Sequence, residues 1–343
     1  MKSSTLNMGR AAPAPTSTLG GPQRAPVAWR ALLARRETAL LAVIALVVAV
    51  VSLGAHGGFW TRVNLDGLMV TSAITAVPAA GMTLVILTGG IDASIGSMLG
   101  LVSAIGGLLF VAGWPVAVVV PVFLLAGAAL GWINGLVILC GRVPPIVCTL
   151  GTLSIFRMGV FLMMGSDWIT ALPPGLTRFF VADHLGPLPG AAVIALAVMA
   201  VLAVFLRVHR TGRRLFAIGN NEEAARLVGI PVRRLRWMTY VLLGACVGLG
   251  ALMRLGQSPI VQTTTGSGFE LGVIAAVVLG GTELSGGRGG MFGTFLGTLV
   301  VGLVGDAIVL MHIQPFWSGV VLGFIILASV GLNEGRRARQ VVS

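Results

Sequence analysis

The chain has 343 residues, of which 56% are hydrophobic and 10% charged, and its mean hydropathy is +0.97. An ordinary soluble domain is excluded, because so few charges cannot keep a surface wet over so much apolar content. A formal net charge of +12 would suit nucleic acid, but seventeen of the 23 Lys and Arg residues fall in residues 1–36, 207–236 and 336–339, each block flanking apolar runs. That is the trace of the positive-inside rule, and it places both termini and the 207–236 region in the cytoplasm and argues against nucleic acid.

Residues 1–36 begin as MKSSTLNMGRAAPAPTSTLGGPQRAPV, rich in Pro, Ala, Ser and Thr. They are expected to form a disordered, basic, cytoplasmic N-terminus. Apolar runs long enough to cross about 30 Å of hydrocarbon as helices follow at 38–55, 67–88, 93–113, 115–139, 145–165 and 189–207. The first is too long for a signal-peptide core and is read as an uncleaved span. Six crossings return the chain to the cytoplasm at its arginine-rich loop, 208–236, which is the side the charge rule demands. Beyond it lie 237–255, a short 269–282, 290–311 and 316–332. The expected fold is therefore an all-α membrane protein of about ten transmembrane helices with both termini cytoplasmic. It is a single membrane domain over 37–335 with a cytoplasmic tail at 336–343. A barrel is not expected, since the apolar runs are long rather than alternating.

Between the fifth and sixth spans, SDWITALPPGLTRFFVADHLGPLPG (166–190) is polar, Pro-rich and aromatic, and parity puts it outside. It reads either as a contact for an extracytoplasmic protein or as a solvated connector. Two further segments resemble each other, VILTGGIDASIGSMLGL (85–101) and VVLGGTELSGGRGGMFGTFLGTL (277–299). Each ends an apolar run in paired glycines, Gly89 and Gly90 or Gly280 and Gly281, passes an acid, and enters a helix rich in small residues. Gly96, Gly286 and Gly287 extend the pattern. Such breaks are tolerated at membrane depth where protein or a cavity covers them, and transporters are often built from repeats of this kind. Chance likeness between two glycine-rich breaks is the competing account.

Catalytic equipment is missing. The only lysine is Lys2, so GGTELSGGRGG cannot be a phosphate-binding P-loop, which needs a lysine after its glycines. His56, His184, His209 and His312 are isolated, and Cys140, Cys148 and Cys246 have no metal or disulfide spacing. No catalytic residue, metal site or cofactor of its own is assigned, and a membrane-embedded enzyme is disfavoured. Asp92, Arg157, Glu270 and Asp306 are the ionisable residues that fall within or beside spans, where charge is costly and needs a reason. Arg157 is expected to pair with an acid on a neighbouring helix, Asp306 being the candidate, either as a structural pair or in contact with substrate. Asp92 stands where it can cap the helix that follows. Asn134, Thr152, Ser154 and Gln257 are candidates for hydrogen-bonding an uncharged polyol along a pathway.

AIGNNEEAARLVGI (217–230) is a polar island holding two of only eleven carboxylates. Gly219 precedes Asn220 and Asn221, either of which can cap a short helix with Glu222 and Glu223 in its first turn, and Gly229 and Pro231 stop it. Adjacent glutamates diverge around a helix, so they are not an acid/base pair. Ala224, Leu227 and Val228 form an apolar face, and Ala225 completes the turn.

Four stretches, GMTLVILTGGIDASIGSMLGL (81–101), PPIVCTLGTLSIFR (144–157), FAIGNNEEAARLVGIPV (216–232) and GFELGVIAAVVLGGTELSGGRGGMFGTFLG (268–297), resemble the permease subunits of ATP-binding cassette importers for ribose, xylose, arabinose, rhamnose and autoinducer-2. They run in family order over nearly the whole membrane region. The resemblance implies a ten-helix importer subunit without enzymatic activity in the bacterial inner membrane. It pairs with a second permease copy or sister permease, two cytoplasmic ATPase subunits that bind the ATP, and a periplasmic sugar-binding protein, with membrane lipid around it. It also implies that the segment around Glu222 is a coupling helix seated on an ATPase. Ala93 and Ile95 depart from the family's usual Leu or Val without altering charge or topology, and SDWITALPPGL (166–176) is most similar to the autoinducer-2 and rhamnose branches. The alternative is an ion-coupled secondary transporter working through Asp92, Glu270 or Asp306.

Overall fold

The computed structural model describes residues 36–54, 57–170, 172–314, 316–325 and 327. The expected N-terminal region and the 336–343 tail lie outside the described residues, save Arg36, which opens the first helix. Eleven helices carry the architecture: α1 (Arg36–Gly54), α2 (Arg62–Leu87), α3 (Ile95–Val111), α4 (Val116–Gly141), α5 (Pro145–Met164), α6 (Gly190–Val208), α7 (Arg210–Asn220), α8 (Glu222–Leu227), α9 (Val232–Gln257), α10 (Phe269–Leu279) and α11 (Met291–Leu310). Six of them, α2, α4, α5, α6, α9 and α11, are long and apolar enough to cross a bilayer, while α1, α3 and α10 offer shorter apolar stretches. Residues 317–325 are helical, and the rest of the expected 316–332 span lies largely outside the described residues.

Helix α2 is the axis of the molecule. Thr61 caps it through its Oγ1, which accepts from Asn64 N at 3.4 Å, and from Ser72 to Leu87 every residue is buried. It is apolar on all sides because other helices surround it, which is the pattern of a core helix rather than an amphipathic one. Around it the helices approach through small residues. Gly127 and Gly131 of α4 lie against the backbone of Gly244 and Gly248 of α9, where any Cβ would collide with main-chain atoms. Gly293 and Gly297 of α11 meet Gly280 and Ala276 of α10 in the same way. Lipid gives helices no hydrophobic reason to associate, so this close van der Waals fit, with the Thr83–Thr294 hydroxyl bond of 2.8 Å, does that work. The outward faces of α4 and α5 remain apolar and open, as at Leu125, Ile155 and Leu162.

Two spans depart from simple crossings. Helix α10 has 11 residues, about 16 Å at 1.5 Å per residue, which is half a bilayer. Residues 258–268 supply the other half as irregular chain: Val261 pairs with Ile169 through two backbone bonds of 2.9 and 3.1 Å, and the strand then descends beside α3 until Gly266 reaches Gly96. The 166–190 segment is likewise folded rather than loose. It carries a helical turn at Pro174–Thr177 and a ribbon pairing His184–Leu185 with Leu188–Pro189, and His184 Nε2 lies 3.1 Å from Asp66 of α2.

Candidate coupling site at the arginine-rich end of the bundle

His209 ends α6 and caps α7 by accepting from Thr211 N through Nδ1 at 3.2 Å. Helix α7 is amphipathic and buries Leu215 and Ile218, so it lies flat on the bundle end rather than projecting. Its penultimate residue is Gly219. A Cβ there would overlap Leu87 O, the last residue of α2, and the backbone of Gly286 and Gly287. No other residue type permits that approach, which explains the glycine.

The consequence is a junction of three segments. Gly287 N donates to Leu87 O at 3.0 Å, joining the break after α2 (residues 88–94) to the break between α10 and α11 (residues 280–290). Asn220 Nδ2 donates to Phe216 O of its own helix at 2.9 Å and to Gly287 O at 3.3 Å, tying α7 to the second break, while Gly219 packs against Leu87 O at the start of the first. The two stretches that look alike in sequence thus meet at the polar island.

Asn221 then caps α8: its Oδ1 accepts from Ala224 N at 2.9 Å. The helix ends in a reciprocal pair, Ile230 N to Ala225 O at 3.0 Å and Gly229 N to Arg226 O at 3.0 Å. This closure needs a left-handed residue at Gly229, whose φ is +78°. The two glutamates part company as their adjacency requires. Glu222 turns inward, ion-paired to Arg226 and, at 2.7 Å, to Arg236 of α9. Arg236 in turn donates to Thr88 O through Nε at 3.2 Å and Nη2 at 3.0 Å. Glu223 is exposed and makes no ion pair among the described residues. Ala225 is the buried residue of α8, while Leu227 and Val228 are 84% and 76% exposed. Ala224 is exposed with them. An apolar and acidic face therefore points away from the chain, on a helix whose other face is tied to both breaks. Arg236 was not among the residues picked from the sequence; there it is only the last residue of the 208–236 loop, and in the structure it is the fifth residue of α9.

Within the first break, Asp92 is fully buried. Its Oδ1 accepts from Ser94 N at 2.8 Å and Ser94 Oγ at 2.6 Å, and its Oδ2 from Asn134 Nδ2 at 2.9 Å. It does not cap α3, whose N-cap is Ser94 with no side-chain cap bond; it holds Ser94 itself and, through Asn134, ties the break to α4. Gly89 adopts φ +79° and Gly90 packs under the Tyr240 ring. Across the second break Glu283 pairs with Arg288 at 3.6 Å.

Arg157 does not pair with Asp306. It donates through Nη1 to Thr263 O at 2.9 Å and Thr265 O at 2.7 Å, satisfying carbonyls that the irregular 258–268 chain leaves open, and it interacts electrostatically with Glu270. Glu270, in the first turn of α10, fills the space left by Gly96. Asp306 instead accepts from Asn64 Nδ2 at 3.0 Å. Sequence complementarity of charge suggested an acid partner because it cannot foresee which carbonyls a broken span strips of donors. Gln257 donates to Thr71 Oγ1 at 2.7 Å and accepts from Arg254 Nη1 at 3.0 Å. Thr152 bonds back to Thr149 O at 3.3 Å within its own helix, and Ser154 is exposed. Asn134 and Gln257 thus lie in separate places, and the polyol candidates do not converge on one site.

A bundle of apolar helices, six of them long enough to cross a bilayer, with broken spans and an outward-facing loop helix, defines an all-α membrane protein. The family described as "Branched-chain amino acid transport system / permease component" matches residues 64–330. The ribose import permease protein RbsC of Bacillus subtilis is 36% identical over 298 residues, 85% of this chain and 91% of that protein. The autoinducer 2 import system permease protein LsrC of an Enterobacter species is 34% identical, covering 92% and 90%. The probable ABC transporter permease protein YphD of Escherichia coli is 39% identical, covering 92% and 96%. No solved structure matches the chain. The chain belongs to this permease family: it is a multi-pass inner-membrane permease subunit of the ATP-binding cassette type, a transport component rather than an enzyme.

Proposed function

We propose that the chain translocates a monosaccharide-like solute, a pentose, a deoxyhexose such as rhamnose or an autoinducer-2-like sugar, across the inner membrane, with α8 as the lever through which two ATPase subunits drive it. The substrate class is supported by the relatives that carry ribose and autoinducer-2 in their names. The partners follow from the same likeness: a second permease, ATPases at the arginine-rich end and a periplasmic binding protein at the opposite end. The rhamnose-type branch suggested by residues 166–176 is not favoured over the others by relatives of such similar identity.

The single observation that carries the mechanism is the two-sided character of α8. Outward it offers Glu223, Ala224, Leu227 and Val228; inward, Glu222, Arg236 and Asn220 join it to both glycine breaks. A rigid displacement of α8 by an ATPase therefore moves the ends of α2, α3, α10 and α11 together, which is the small shift amplified by packed helices that alternating access needs. The chain brings no phosphate-binding lysine, so nucleotide chemistry belongs to the partners.

The test is uptake and ATP hydrolysis in vesicles holding the complete importer. Gly229→Pro, which cannot adopt a φ of +78°, and Glu223→Arg should each cut uptake at least about tenfold, some 1.4 kcal/mol of lost coupling, while the membrane fold survives. Full uptake and full solute-stimulated hydrolysis in both variants would refute the assignment. An ion-coupled transporter would instead keep transporting after ATP depletion and stop with an ionophore. Its candidate acids do not form a relay, for Asp92 is held by Ser94 and Asn134 and Asp306 by Asn64.

A further inference from the structure

Thr88, α8 and the facing ends of α4, α5 and α9 border a half-open cavity of about 500 Å³ at the arginine-rich end. Four guanidiniums line it, Arg142, Arg226, Arg233 and Arg236, against one carboxylate, Glu222. Arg226 and Arg236 share that carboxylate, and Arg233 uses Nη2 on Leu139 O at 2.8 Å. Arg142 makes no ion pair among the described residues, and it sits at the C-cap of α4 in the left-handed region, φ +52°. A non-glycine residue held there is uncommon and carries local strain.

We propose that this cavity binds the phosphate of an anionic lipid headgroup. Planar guanidiniums are suited to phosphate oxygens, which they can hold through paired N–H donors, and four arginines, three of them exposed to solvent, border this one cavity. Positive-inside topology alone would scatter such charges, yet Arg207 and Arg234 of the same end lie outside the pocket while these four share it. The choice of lipid over soluble phosphate rests on what adjoins the cavity. Val137 of α4 and Ile146, Val147 and Leu150 of α5 are 38% exposed or more, so acyl chains have apolar helix faces to lie along directly beside the basic pocket. Basic pockets between spans on the cytoplasmic side are where anionic headgroups are held. The occupant shares Arg226 and Arg236 with Glu222, so it ties the orientation of α8 to the anionic-lipid content of the leaflet. None of this depends on which solute the permease carries.

The test uses the full chain, purified in detergent and observed by native mass spectrometry with phosphatidylglycerol or phosphatidylcholine added. Wild type should retain phosphatidylglycerol in preference to phosphatidylcholine. The double variant Arg142→Asn/Arg233→Gln should lose about tenfold or more of that retention, as two guanidiniums near a headgroup imply. Asparagine is chosen at 142 because it tolerates a left-handed backbone. Arg207→Gln, which removes a charge from the same end outside the cavity, should change nothing. Undiminished retention in the double variant, or an equal loss in Arg207→Gln, overturns the site. Displacement of the lipid by millimolar inorganic phosphate would make the ligand a soluble phosphate and overturn the lipid assignment. Should the double variant fail to fold, Arg233→Gln alone, with a loss of roughly fivefold, decides.

Discussion

The two glycine breaks look alike in sequence and behave differently in three dimensions. The first, 88–94, is cross-braced: Asp92 is buried under three hydrogen bonds, one of them from another helix, and Arg236 holds Thr88. The second, 280–290, is held chiefly by main-chain bonds, with the Asn220 side chain on Gly287 O and an ion pair of Glu283 with Arg288, which is 65% exposed, and Gly281, Gly286 and Gly287 all have left-handed backbones. Polar groups anchored by side chains resist motion as a unit, whereas a glycine-rich link bends with few bonds at stake. The first break is thus a brace of buried side chains and the second a joint built chiefly of glycine backbone, with Gly219 packed against Gly286 and Gly287 of the second and against Leu87, where the first begins.

Three substitutions would break or sharpen that contrast. The largest effect is expected at the brace. Asp92→Ala leaves Ser94 N and Ser94 Oγ without their acceptor and Asn134 Nδ2 with only its 2.8 Å bond to Ser94 Oγ, and at about 1–3 kcal/mol per buried unsatisfied group it should lower the thermal unfolding midpoint markedly. An unchanged midpoint would mean that the knot is not structural. At the joint, Gly287→Ala places a side chain where φ is +77° and Asn220 already lies. That costs about 1–2 kcal/mol and should reduce uptake more than it reduces stability, a ratio readable from paired vesicle and unfolding measurements. Smallest of all, Arg288→Gln removes an exposed partner from an ion pair and should change stability by no more than about 1 kcal/mol. A loss at Arg288 equal to that at Asp92 would erase the distinction between brace and joint.

Some long apolar runs were legible almost to the residue, although the run expected from 67 begins as helix at Arg62. The 145–165 expectation is Pro145–Met164 and 290–311 is Met291–Leu310, because proline at the first turn and glycine before it mark helix starts. The span expected to open at 237 opens at Val232 instead. VRRLRW reads as a polar loop by hydropathy, yet Val232 and Leu235 are buried while the arginines reach the bundle end, so one helix carries both faces. The short α10 and its irregular lead-in were half visible: glycines announced a break, but nothing local says that Arg157, over a hundred residues earlier, will supply the missing donors. The polar island was readable as a capped helix with diverging glutamates. Its inward anchor was not, since Arg236 belongs to the next span and only the tertiary fold brings it to Glu222.

The irregular 258–268 strand, finally, limits what can surround the molecule. It runs beside α3 from Gly107 down to Gly96, about 16 Å at 1.5 Å per residue; Arg157 takes two of its carbonyls and short turns take others, Ser267 N donating to Thr264 O at 3.0 Å and Leu271 N to Gly268 O at 3.2 Å, while Thr264, Ser267 and Gly268 are exposed residues. Hydrocarbon cannot solvate open peptide groups, so non-helical chain at such depth must face protein or water. The broken span thus limits the bilayer's access on this flank: the exposed Thr264, Ser267 and Gly268 call for protein or water against them rather than acyl chains.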